Sequence, residues 1–160
     1  MPYAPLLTTL AYVVRDGRVL MCHRIARAGD EQYGKWNGLG GKLEQGEDVA
    51  AGMIRELAEE AGIVPTAMTL RGTVNWPGFS GPDGHVLGFV FLVTAFDGEP
   101  PAENVEGELH WVPLAEIAGL DMWEGDRHFL PLVFDADPRG FHAVIPYEAG
   151  RPIGATVTRL

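Results

Sequence analysis

The amino-acid sequence predicts an α+β fold made of one domain, residues 1–160, and three observations carry that expectation. The stretch from Glu47 to Ala61 has the apolar spacing of a single helix. Stretches rich in β-formers stand on both sides of it, separated by glycine- and proline-rich breaks. The chain has 160 residues, enough for one proper core, with 46% hydrophobic and 21% charged residues, as in ordinary globular proteins.

Taken in order, Leu7 to Val14 and Arg18 to Arg24 form an opening hairpin around the turn signal Asp16-Gly17. Ala26 to Lys35 is polar and reads as a loop. Gly38, Gly40 and Gly41 predict a turn that brings backbone groups close to a metal or a phosphate. The helix follows. Val49, Met53, Ile54, Leu57 and Ala61 make its apolar face, and Glu47 and Asp48 sit in the first turn, where the macrodipole favours acids. Gly62 is placed for a left-handed cap. Met68 to Trp76 reads as a strand and His85 to Phe96 as a long central one. Between them Pro77 to Gly84 is a loop whose neighbours Trp76 and Phe79 can flank a substrate. After the loop Asp97 to Asn104 come a short strand, Leu109 to Val112, a short helix, Leu114 to Ala118, and an amphipathic stretch, Arg127 to Phe134. Phe141 to Tyr147 and Ile153 to Thr158 close the chain as a hairpin.

The other face of the helix is unusual. Glu56, Glu59 and Glu60 stand at i, i+3 and i+4, where like charges cost roughly 0.2–0.5 kcal/mol per pair. Arg55 is the only nearby cation on the helix. Two such glutamates are explained by solvation alone. Three without an interleaved lysine point to a cage of hard oxygens for Mg²⁺ or Mn²⁺. Beside a glycine-rich turn, that cage is equipped for phosphoryl chemistry.

Charge narrows the partners. Lys and Arg number 12 against 22 Asp and Glu, a net charge of −10, with a pI near 4.8. That balance argues against stable binding of nucleic acid or an anionic membrane, and a polyphosphate in such a protein needs divalent cations. The single cysteine, Cys22, excludes an internal disulfide framework and fits a reducing cytosol. No signal-peptide pattern opens the chain, and the longest apolar run, Val86 to Phe96, is too short to span a bilayer. The expected location is cytoplasmic.

The run Gly41-x5-Glu47-x7-Arg55-Glu56-Leu57-Ala58-Glu59-Glu60-Ala61-Gly62-Ile63 resembles a complete Nudix box, with every fixed position filled. The resemblance implies a Nudix fold, a mixed central sheet between helices in an α/β/α sandwich. It also implies metal-dependent hydrolysis of a nucleoside diphosphate linked to another group. Carried over residue by residue, it makes Glu56, Glu59, Glu60 and the Gly40 carbonyl metal ligands. Glu106 joins them, standing five residues before Trp111 as an acid does in similar enzymes, with Glu108 its competitor. Glu56 is the candidate general base, with Glu59 beside it and Arg55 orienting the carboxylates.

Trp36-Asn37-Gly38-Leu39-Gly40-Gly41-Lys42 resembles the same stretch in MutT-like enzymes that sanitise oxidised purine nucleotides. This implies that Asn37 reads the base, with Leu39, Gly41 and Lys42 around the substrate. An amide, being donor and acceptor, suits a purine edge. Arg24 occupies the place of a basic residue near the phosphates in the eukaryotic oxidised-purine triphosphatases. Asp121-Met122-Trp123 is similar to those enzymes, and Trp123-Glu124-Gly125-Asp126 to bacterial members of the group. There a tryptophan stacks on the base and an acid contacts its polar edge, which nominates Trp123, Glu124 and Asp126. The sequence departs from the eukaryotic pattern at Gly125, which replaces the first of two adjacent aspartates. A buried, protonated Asp126 could donate to a base oxygen.

The implied reaction is Mg²⁺-dependent attack of water on a nucleoside triphosphate such as 8-oxo-dGTP, giving monophosphate and pyrophosphate. Unmodified triphosphates and dinucleoside polyphosphates fit the same box. A non-cutting nucleotide sensor should have lost box glutamates, and none is missing. A hydrolase of RNA 5′ ends would want a basic path for the chain, which the charge balance opposes.

Overall fold

The structure, a computed structural model, describes residues 2–160. The strands are β1 (Leu6–Arg15), β2 (Arg18–His23), β3 (Trp36–Asn37), β4 (Leu39–Lys42), β5 (Val64–Trp76), β6 (Val86–Asp97), β7 (Glu108–Pro113), β8 (Phe141–Val144), β9 (Tyr147–Glu148), β10 (Arg151–Pro152) and β11 (Thr156–Arg159). The helices are α1 (Val49–Ala61) and α2 (Asp126–Phe134), with a short 3-10 helix at Leu114–Gly119.

Nine strands form one sheet, in the order β11-β8-β5-β6-β1-β2-β3, with β4 also on β1 and β7 also on β2; β9 and β10 pair separately. β1 runs parallel to β6 and β5 parallel to β8, and the other pairings are antiparallel, so the sheet is mixed. The edge of β1 not taken by β6 is shared: Thr8 to Ala11 pair with β4 and Val13 to Arg15 with β2.

Alternation along the strands sends side chains into two cores, one on each face. Ala11, Val13, Leu20 and Phe91 pack with Met53, Leu57 and Ala61 of α1. Tyr12, Val19, Met21 and Val90 pack with Phe129, Leu130 and Val133 of α2. The helices therefore lie on opposite faces, the α/β/α arrangement.

Several expectations are corrected in detail. The helix starts at Val49, because the Asp48 carboxylate accepts from Ala51 N–H at 2.8 Å and caps it, and Glu47 lies in the preceding turn. Gly62 caps the other end with φ 62°. Ile54 is 40% exposed and drops out of the apolar face. Residues 36 to 42 are not a turn. They are two extended segments, and their glycines are needed for close approach: a Cβ on Gly40 would strike the Thr9 carbonyl, and one on Gly38 would stand 2.6 Å from Ala11 O. β5 starts at Val64 rather than Met68, through bulged pairing with β6. The C-terminal hairpin pairs β8 with β11, and residues 147 to 152 form a smaller hairpin at its tip. Phe141 and Ile145 of this segment are fully buried.

Candidate active site

A cleft of about 800 Å³ crosses the open edge of β4. Glu56, Glu59 and Glu60 enter it from α1 on one face of the sheet, and Asp126 enters from α2 on the other. Gly38, Gly40 and Gly41 line it between these two ends. Arg24, Asn37, Lys42 and Glu106 also line it, with Trp76 and Phe79.

Arg55 organises the carboxylate end. Its Nε and Nη2 donate to the two oxygens of Glu47 at 3.0 and 2.6 Å, a bidentate pair that holds Glu47 down at about 2, helped by the Glu44 N–H. Nη1 donates to Glu56 Oε1 at 3.0 Å and to Glu59 Oε2 at 3.4 Å, and Nη2 to the Lys42 carbonyl at 3.1 Å. One guanidinium thus ties the glycine strand, the turn and the helix together. Gly41 faces Glu56 so closely that a Cβ there would stand 2.5 Å from Oε1.

Glu60 behaves differently. Its Oε2 accepts from the Gly40 N–H at 3.1 Å, yet burial pushes its carboxyl up to about 8, with Glu56 and Glu106 adding to the rise. Glu106 meets Arg24 Nη2 at 2.9 Å and Arg27 Nη2 at 3.0 Å. Asn104 fixes that loop to α1, donating to the Glu60 carbonyl at 3.0 Å and accepting from the N–H groups of Glu106 and Gly107. Glu108 instead sits 3.5 Å from His110 and is not on the cleft.

The ready cage expected of three adjacent glutamates is not preassembled: no group of three His, Cys, Asp or Glu among the described residues is gathered to hold a metal. Arginines occupy Glu56, Glu59 and Glu106 instead, and the Gly40 N–H occupies Glu60. The donor set nevertheless fits a hard divalent cation, since a buried carboxyl crowded by two others carries a charge conflict that such an ion relieves.

At the other end, Asn37 Nδ2 donates to Gln32 Oε1 at 2.8 Å. Burial pushes Asp126 up to about 7, against a downward pull from Arg127. Its helix turn is held by Tyr147, whose hydroxyl accepts from Gly125 N–H at 3.0 Å. Trp123 lies against Phe79, ring centroids 5.1 Å apart, rather than on the cleft wall, and its Nε1 is buried without a partner. Lys35 Nζ stands 5.5 Å from the Trp123 ring centroid. Leu39 is fully buried against α1, so its side chain is withheld from the cleft by the core it fills. Glu124 is solvent-exposed and also absent from the lining. Arg24 is on the lining, but Asp30 at 2.8 Å and Glu106 hold its guanidinium. Sequence reasoning missed Gln32, Asn104 and the Glu47–Arg55 pair. The first two carry no periodic or motif signal.

This fold and this box define a Nudix hydrolase, and the chain belongs to that family: residues 5–133 match the family described as NUDIX domain. Nudix hydrolases generally use divalent metals. The chain is 34% identical over 127 residues to the oxidized purine nucleoside triphosphate hydrolase of Danio rerio, covering 79% of this chain and 78% of the relative. It is 38% identical over 83 residues to the 8-oxo-dGTP diphosphatase of Escherichia coli, covering 51% and 60%. Among solved structures, the MutT protein of Bacillus halodurans superposes with TM-score 0.82 at 25% identity, covering 95% of this chain and 97% of that one. No helix among the described residues is long and apolar enough to cross a membrane.

Proposed function

We propose that this Nudix hydrolase is a Mg²⁺-dependent nucleoside triphosphate pyrophosphohydrolase that prefers oxidised purines such as 8-oxo-dGTP, a cytoplasmic role in nucleotide-pool sanitation. One observation carries the reading. A single cleft joins the box carboxylates to Asn37 and to an aspartate, Asp126, whose carboxyl burial raises to about 7. The names of the relatives from Danio rerio and Escherichia coli support the same substrate class.

In this reading Glu56, Glu59, Glu60, Glu106 and the Gly40 carbonyl hold divalent cations (Mn²⁺ as well as Mg²⁺). When bound, these neutralise the polyphosphate and acidify a water. Glu56 takes the proton of the attacking water, and Arg55 fixes the carboxylate for it at 3.0 Å. Lys42 and Arg24 face the phosphates. Asn37 hydrogen-bonds the base, and Asp126, protonated, donates to a base oxygen. Trp123 acts by backing Phe79 against the base rather than by stacking on it directly. The single domain spans residues 1–160, a reading supported by β8 and β11 sharing the sheet of the box.

Initial rates with Mg²⁺ on 8-oxo-dGTP, dGTP and dATP, with products identified, test this. A large preference for 8-oxo-dGTP with release of pyrophosphate is expected. Equal rates on all three would discard the oxidised-purine assignment and leave the Nudix chemistry standing.

A further inference from the structure

Asn37 is an amide that can meet a ligand with its oxygen or with its nitrogen, and its own strand does not decide which. β3 fixes only its backbone, through pairing with Cys22. The side chain is fixed from elsewhere, by Gln32 Oε1, which accepts from Asn37 Nδ2 at 2.8 Å.

Gln32 is itself held at both backbone groups. Its N–H donates to Asp30 Oδ1 at 3.1 Å, and its carbonyl accepts from Lys35 N at 2.9 Å. Asp30 is anchored in turn by Arg24 Nε at 2.8 Å, and Gly34 N–H returns to the Arg24 carbonyl at 2.7 Å, with Gly34 at φ 84°. The loop from Ala26 to Lys35 therefore holds Gln32 at a fixed place beside Asn37, with Oε1 toward the Asn37 amide. Gln32 and Asn37 both line the cleft, so the bonded pair of amides stands in its wall.

From this juxtaposition we infer that Gln32 is a positioning residue for base selection. It holds Asn37 with the amide nitrogen turned toward the loop, so that Oδ1 is the atom offered to the ligand and Gln32 Nε2 supplies a donor beside it. The cleft then presents an acceptor and a donor side by side, and a base edge with a matching donor and acceptor pair is selected over one with two acceptors. The inference rests on the proposed base-reading role of Asn37 and adds what sets the polarity of that amide.

The test uses Gln32→Met, which keeps the length of the side chain but has no acceptor, and Gln32→Glu, which keeps an acceptor in place. Steady-state constants for 8-oxo-dGTP, dGTP and dATP are measured for both, for Asn37→Ala and for the double variant Gln32→Met/Asn37→Ala. Gln32→Met should raise KM for the preferred purine about three- to tenfold, the loss of one hydrogen bond, with kcat nearly unchanged. It should also narrow the preference among the three nucleotides. Gln32→Glu should retain most of that preference. In the Asn37→Ala background the Gln32→Met effect should vanish, because the two residues act as a unit.

A Gln32→Met enzyme indistinguishable from the parent overturns the inference. So does an effect that persists at full size without Asn37, or one that lowers kcat on all three substrates equally. Failure of the underlying reading looks different: Asn37→Ala would then leave the parent's nucleotide preference intact.

Discussion

Arg55 touches four carboxylates and one carbonyl, so its planar fork offsets the crowding of Glu56 and Glu59 on one helix turn. Lysine has the charge but not the fork. Arg55→Lys should lower turnover by roughly 10- to 100-fold, the usual cost of losing a partner that orients metal ligands, while Mg²⁺ titration shifts to higher concentration. Glu56→Gln should lower kcat by about 10²–10⁴ if Glu56 is the base. Near-normal turnover at saturating Mg²⁺ would remove it from that role. Asp126 offers a test by pH. Its folded-state value of about 7, against an ordinary 3.8, means that the folded chain holds this proton more tightly than the unfolded chain. Its contribution to stability is therefore full below pH 3.8 and is lost as pH rises toward 7. Asp126→Asn should lack that loss. Melting curves of the two proteins in chelator from pH 4.5 to 7.5 should converge or cross in favour of the variant as pH rises, and a constant gap would contradict it.

At the scale of elements, the glycine strand and the box helix separate two kinds of constraint. Gly41→Ala meets a carboxylate, and Gly40→Ala meets the backbone of β1. The first should reduce turnover in a protein that still melts normally. The second should destabilise by about 1–3 kcal/mol, as overpacking does, read from urea denaturation. The helix itself was legible because Met53, Leu57 and Ala61 repeat at its period, while the exposed Ile54 and the first turn were misread. There the local side-chain bonds of Asp48 and Glu47 decide the boundary, and periodicity is blind to them. The glycine strand was read as a turn because glycine has poor strand propensity. It pairs nonetheless, since β1 leaves half of one edge free and only glycine fits so near it. Among residues on the cleft, the box glutamates and Asn37 were readable from spacing and resemblance. Leu39 was not, because a leucine inside a motif looks the same whether its side chain meets a ligand or the core. Gln32 was invisible for the opposite reason: a loop glutamine gains meaning only when the turns around Asp30 bring it to Asn37.

At the scale of the molecule, a net charge of −10 and a cleft with a carboxyl raised to about 8 would make the proposed cation binding a proton-linked event. Adding Mg²⁺ should raise the melting temperature more at pH 8.5 than at pH 6, where Glu60 still holds its proton. Equal increments at both values would argue that Glu60 takes no part. The final twenty residues show how far the two ends of the cleft can be uncoupled. Phe141 and Ile145 anchor that segment in the α2-side core, and the Tyr147 hydroxyl reaches back to Gly125, next to Asp126. The box helix lies on the other face and owes its packing to a separate set of residues. On the proposed reading, limited digestion from the C-terminus past Tyr147 should therefore impair the choice between bases more than the cleavage itself.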